Sequence, residues 1–179
     1  MTRAHMEDCK DFHWYIGHTR TFHEKKVAAR LADMGVDVFV ATQKEKRKWS
    51  DRIKYVDKVV LNGYVFIHTT EEERLEILKN HVGLIGFMSR KGTYRPIIVP
   101  DKQMERFRTF LTQHDEMVEF MMEDFTPGDK VVITQGPLTG IEGEIIKIEN
   151  KNKFCVRLDG FGTASINIES NNIYKKLES

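Results

Sequence analysis

Gly136, Gly140 and Gly143 crowd the stretch "TPGDKVVITQGPLTGIEGEIIKI" (126–148), and glycine-rich loops are one way a chain cradles phosphate. That chemistry needs Gly-x-x-x-x-Gly followed by Lys and Ser or Thr, so that backbone N–H groups and an ammonium converge at a helix start. Here no such lysine follows. Gly143 leads into "EIIKI", which reads as a strand, and Glu142 and Glu144 beside it would repel a phosphate. The glycines are therefore read as turn residues, which let the chain reverse between Ile133 and Ile145 where side chains would collide. The seven histidines form neither HxxxH nor HExxH. Cys9 and Cys155 are isolated, with no zinc spacing and no disulfide framework. No GxSxG surrounds a serine. The chain is not expected to be an enzyme, and no catalytic residue, metal or cofactor is expected.

Aromatic and basic residues carry more information. In "VVLNGYVFIH" (59–68), alternation puts Tyr64 and Phe66 on one face of a strand and Val65 and Ile67 on the other. Both faces are apolar: either helices cover each, or one stays open to receive a partner's helix. Trp14 and Tyr15 lie on a second strand. Arg20, Lys25, Lys26 and Arg30 cluster at the first helix, with Lys26 and Arg30 stacked at i and i+4. Such a stripe is either a solvated face or a track for a nucleic-acid backbone, the latter if His18 and Phe22 beside it can stack on bases. The segment "KEKRKWSDRIK" (44–54) holds six basic residues against two acids and is read as a loop, its Trp49 either packed on the domain or in contact with a polymerase or nucleic acid.

The elements that must position these residues follow from pattern. "FHWYIGH" (12–18) reads as a strand, "FHEKKVAARLADMG" (22–35) as a helix stopped by Gly35, and "VDVFVA" (36–41) as a second strand. The run 59–68 reads as a third strand, kinked or bulged at Asn62-Gly63. Thr70 stands three residues before Glu73, a capping-box spacing that opens the helix "EEERLEILKN". After the strand-like "VGLIGFM" and "RPIIVP", Pro100 starts "DKQMERFRTFL", with Met104, Phe107, Phe110 and Leu111 on one face. Residues 1–11 read as a flexible N-terminus. Between Arg108 and Lys130 there is no Lys or Arg while acids accumulate, which marks a boundary. The stretch 113–126 is either an acidic linker or an extension of the preceding helix toward residue 122. Residues 127–179 contain five short strands separated by turn signals, the pattern of a small five-stranded SH3-like β-barrel. The fold class is α+β, with an antiparallel sheet flanked by helices over 12–112 and the barrel over 127–179. A formal net charge of +1 means that any attraction to nucleic acid comes from a local patch. The charged N-terminus and the lack of an 18-residue apolar run point to a soluble cytoplasmic protein with no membrane contact.

The order "HWYIGHTRTFHEKKVAARL…VDVFVA…VVLNGYVFI…VGLIGFM…RPIIVPDKQME" resembles the N-terminal (NGN) domain of the NusG family of transcription elongation factors, and "GDKVVITQGPLTGIEGEIIKI…FCVRLDGFG" looks like the KOW domain that follows it. "RKWSDRIKYVDKVVLNGYVFI" is similar to the specialised UpxY and RfaH type, antiterminators of long polysaccharide or capsule operons. The resemblance implies that the NGN domain grips the clamp helices of the RNA polymerase largest subunit through an apolar pocket and reaches toward the opposite lobe, which suppresses pausing. The pocket positions would be Leu61, Tyr64 and Phe66, with Trp14 and Tyr15 beneath or beside them. His68, Thr69 and Thr70 look like the motif that faces the polymerase gate loop. By the same resemblance Arg20, Lys26 and Arg30 would read the non-template DNA strand. Phe161-Gly162 fits the KOW motif that contacts Rho or a small-subunit ribosomal protein, with Thr163 where an arginine is expected. The alternative is a KOW-type RNA-binding or ribosome-associated protein, which would have no need of the aromatic pocket.

Overall fold

The computed structural model describes residues 11–80, 82–113, 117–122, 127–148, 151–168 and 174–177. In chain order the first elements are β1 (His13–Thr19), α1 (Glu24–Asp33), β2 (Asp37–Phe39), β3 (Thr42–Lys48), β4 (Ile53–Val59), β5 (Tyr64–Thr69), α2 (Glu71–Lys79), β6 (Leu84–Phe87), β7 (Ile98–Val99) and α3 (Asp101–Thr112). They are followed by β8 (Glu119–Met121), β9 (Asp129–Ile133), β10 (Glu142–Ile148), β11 (Lys151–Leu158), β12 (Gly162–Asn167) and β13 (Tyr174–Lys176).

The first sheet is antiparallel, in the order β2-β5-β1-β6, and β7 also pairs with β1. Its register sets Tyr15 opposite Ile67, Ile16 opposite Phe66 and His18 opposite Tyr64. Directly opposed residues share a face, so the two faces separate as the alternation predicts. Val65 and Ile67 pack with Val27 and Leu31 of α1 and Ile77 of α2. Trp14, Ile16 and Phe66 pack on the other side with Met104, Phe107, Phe110 and Leu111 of α3. The helix boundaries have local causes. The Thr70 hydroxyl accepts the Glu73 N–H at 3.2 Å and so caps α2. After α1, Gly35 takes φ +79, a conformation with no Cβ penalty.

Three expectations are corrected, and a fourth, the closed barrel, is not seen among the described residues. The run 59–68 is two strands, not one kinked strand: β4 ends at Val59, and Asn62-Gly63 lies in a turn where Gly63 has φ +85. The basic segment 44–54 is no loop but most of a β3–β4 hairpin registered from Thr42↔Val59 to Lys48↔Ile53. Water bathes most of both its faces, so it lacks the apolar alternation that announces a strand. The helix does not extend to residue 122: α3 ends at Thr112, and Glu119–Met121, within the stretch 113–126, is a strand paired with β12, while 114–116 and 123–126 lie outside the described residues. The C-terminal strands form a six-stranded sheet in the order β13-β9-β10-β11-β12-β8, and among the described residues no pairing closes it into a five-stranded barrel. The sixth strand comes from the stretch read as linker.

The glycine-rich stretch does join strands, since β9 and β10 pair through Val132↔Glu142 and Val131↔Gly143. A Cβ on Gly143 would lie 2.5 Å from the Cys155 carbonyl oxygen and 2.6 Å from the Phe154 ring, so close approach accounts for this glycine. Of the expected flexible N-terminus, residues 1–10 lie outside the described residues. Among the described residues no helix is long and apolar enough to cross a membrane.

Candidate functional site

Alternation along β5 aims Tyr64 and Phe66 away from α1 and α2, and the turn between β11 and β12 brings Phe161 onto them. Its ring centroid is 5.2 Å from Tyr64, near edge-on, 6.1 Å from Phe66 and 5.4 Å from Phe120 of β8. Phe107 of α3 closes the cluster, 5.6 Å from Phe66 and 6.0 Å from Phe120. Offset and edge-to-face geometries of this kind add about 0.5–1.5 kcal/mol per pair beyond the area they bury. One buried cluster therefore runs from Trp14, Leu61 and Phe66 through α3 into Phe154 and Phe161.

Polar contacts ring this seam. Gln103 of α3 donates Nε2 to Asp159 Oδ2 at 2.7 Å and accepts the Asp159 N–H at 2.9 Å. Arg106 pairs with Glu142, and the Gln43 amide oxygen accepts the Val118 N–H at 2.8 Å. Between α3 and the second sheet lies a cavity of about 270 Å³ lined by Arg106, Glu142, Glu144, Cys155 and Arg157. Burial pushes the Glu144 carboxyl up, but the two-pronged Arg157 guanidinium (3.0 and 3.1 Å) and the Gly128 N–H outweigh it and hold the group below its ordinary value. Burial pushes the Cys155 thiol up to about 12, so it is a neutral, unreactive group.

The structure brings some of the expected residues together and separates others. Trp14, Leu61, Tyr64 and Phe66 share the aromatic face, but that face is not open: α3 and the second sheet cover it. Tyr15 is buried on the opposite face, where Arg74 lies 5.5 Å from its ring. Burial and the Glu71 carboxylate push its phenol up to about 12. His68 stacks on Trp14 at 4.8 Å. Thr69 and Thr70 are buried and turned to the start of α2, Thr69 donating to Glu73 at 2.8 Å. Phe161, expected to face an outside partner, is 5% exposed. Arg20, Lys26 and Arg30 do converge, around a cleft of about 260 Å³ shared with His23 and Ile85. Arg30 also donates to the Val82 carbonyl at 3.3 Å.

His18 does not border that cleft and stacks on Tyr64 at 5.2 Å. Phe120 was missed because three residues show no periodicity. Glu24 was missed as well: its buried carboxylate accepts the N–H groups of Phe22 and Gly63, and the only sequence trace is an acid in a first helical turn.

A family model described as "Transcription termination factor nusG" matches residues 12–108. The chain is 25% identical over 171 residues to the transcription termination/antitermination protein NusG of Streptococcus pyogenes serotype M3, covering 90% of this chain and 94% of that protein. It is 26% identical over 161 residues to the protein of the same name from Bacillus subtilis, covering 83% and 89%. A solved structure described as "Domain interaction in Thermotoga maritima NusG" is 22% identical, with a TM-score of 0.45 and coverage of 94% and 98%.

Proposed function

The chain belongs to the NusG family of transcription termination and antitermination factors, and from that premise we propose that it binds RNA polymerase through the face around Tyr64 and Phe66 once the C-terminal sheet has left it. Members of this family are transcription factors, not enzymes. The observation that carries the reading is the placement of Phe161. A strand face with Tyr64 and Phe66 at its centre, packed on one side by Phe107 of α3, takes a ring from the turn between β11 and β12 and is fringed by polar contacts, the anatomy of a reversible interface rather than of a uniform core.

In this reading the released face receives the clamp helices, with Leu61 and Trp14 completing the pocket. Tyr15 supports the sheet from behind. Residues 12–112 act as the NGN domain, and 127–179, with β8 added, as the KOW domain. His68, Thr69 and Thr70 would lie toward the gate loop on the opposite lobe, though the two threonines already serve α2. Arg20, Lys26 and Arg30 would track the non-template strand, and Phe161 would become available to Rho or a ribosomal protein only on release. The segment "RKWSDRIKYVDKVVLNGYVFI" supports specialised UpxY- or RfaH-type action on capsule or polysaccharide operons.

The test compares wild type with Tyr64→Ala in a pull-down on purified RNA polymerase and in a transcript-elongation assay. The expected result is binding and read-through for wild type and loss of both for the variant. Binding by Tyr64→Ala equal to wild type would remove the pocket.

A further inference from the structure

Phe22 lies in the turn between β1 and α1 with φ +67, the only described non-glycine residue in the left-handed region. Bulky side chains rarely adopt that conformation, because the Cβ approaches the following carbonyl. Packing does not compensate here, since Phe22 is 87% exposed. What holds the turn is Glu24, only 2% exposed, whose Oε1 accepts the Phe22 N–H at 3.1 Å and the Gly63 N–H at 2.5 Å. The His23 N–H closes the turn on the Arg20 carbonyl at 3.0 Å. A buried carboxylate thus ties the turn to the start of β5 and leaves an aromatic ring standing in water. Strain of this kind, fixed by the surrounding structure, points to use of the side chain.

The neighbours of Phe22 indicate the ligand. Arg20 and His23, on either side of it in sequence, line the cleft that Lys26 and Arg30 complete, and among the described residues no acid lines it. Glu24, the nearest carboxylate in sequence, is turned inward onto two backbone N–H groups. Cations along a groove, with an exposed ring carried in the chain between two of the lining residues, Arg20 and His23, are what a single strand needs, with phosphates on the charges and a base on the ring. We propose that Phe22 is the stacking platform for one unpaired base of a nucleic-acid strand whose backbone follows the Arg20, Lys26 and Arg30 cleft. The inference rests on the strand-tracking role given to those three residues above. It also assigns stacking to one of the two aromatics beside the stripe, since His18 is engaged by Tyr64.

The experiment measures fluorescence anisotropy of labelled single-stranded DNA, single-stranded RNA and duplex DNA of one sequence with the full chain. Phe22→Gly and Phe22→Asn both suit a positive φ and lack the ring, whereas Phe22→Tyr keeps it. The first two are expected to weaken single-strand binding roughly tenfold, with an unchanged salt slope and a higher melting temperature as strain is relieved. Phe22→Tyr is expected to bind like wild type. Arg30→Ala is expected to lower the salt slope by about 0.7. The DNA and RNA arms identify which strand is held. If Phe22→Gly and Phe22→Asn bind like wild type while Arg30→Ala weakens binding, the platform is refuted and the cleft stands. Equal loss on duplex DNA also refutes stacking. If wild type binds no strand, both readings fall.

Discussion

Truncation of Phe161 tests how the two sheets are held together. The ring is 5% exposed, and removing a buried phenylalanine ring costs about 3–5 kcal/mol. Not all of this acts across the seam. Two of the three ring contacts that Phe161 makes within this cluster, to Tyr64 and Phe66, cross to the first sheet, whereas Phe120 belongs to its own. Taking two thirds of the lower figure gives about 2 kcal/mol, or roughly a thirtyfold shift toward the released state. The fringe is weaker. Arg106 and Glu142 have side chains 40% and 49% exposed, and such a pair contributes at most about 1 kcal/mol, less than roughly fivefold. Apparent affinity scales with the released fraction. Titration of fluorescent RNA polymerase should therefore show Phe161→Ala binding up to about thirtyfold more tightly than wild type and Arg106→Ala less than fivefold more tightly. A folded Phe161→Ala protein, by circular dichroism, that binds no better than wild type would refute this reasoning.

Two further predictions follow from the second sheet. The Glu144 carboxyl, held below its ordinary value of 4.5, contributes stability that is fully present above that value and is lost as pH falls through the lower, folded-state value. Glu144→Gln should accordingly be less stable than wild type at pH 7 by about 2 kcal/mol, with the gap in urea midpoints closing below pH 4.5; a gap constant from pH 7 to pH 3 would contradict the Arg157 pairing. Gly143→Ala would force a Cβ onto the Cys155 carbonyl, and the overpacking should cost about 1–3 kcal/mol, read as a lower thermal midpoint. An unchanged midpoint would show that the strand accommodates a Cβ there and that close approach does not require the glycine.

The sequence announces features that physics writes locally. Alternation in "YVFI" gives the two faces of β5, Thr70 with Glu73 gives the cap of α2, and glycine spacing gives the β9–β10 turn. Features that depend on distant surroundings are harder to read. The β3–β4 hairpin is hidden because both its faces are largely wet. The strand at Glu119–Met121 is hidden because its partner, β12, lies more than 40 residues on. An apolar face looks the same in sequence whether a partner or the chain's own Phe161 covers it, so the shared face of Tyr64 and Phe66 was legible and its occlusion was not. The stacking of Lys26 and Arg30 follows from helical spacing, whereas Arg20 joins them from the turn before α1. The strained posture of Phe22 does not follow from spacing, because the buried carboxylate of Glu24 imposes it.

The central claim, that one aromatic face serves either the second sheet or RNA polymerase, is tested most directly by tethering the seam. Gln103→Cys and Asp159→Cys, whose native side chains are hydrogen-bonded, can be joined by a short bismaleimide in a Cys9→Ser background. Polymerase binding is then compared before and after crosslinking. The tethered protein should lose binding and read-through that the same protein shows untethered. Equal binding in both forms would contradict the account.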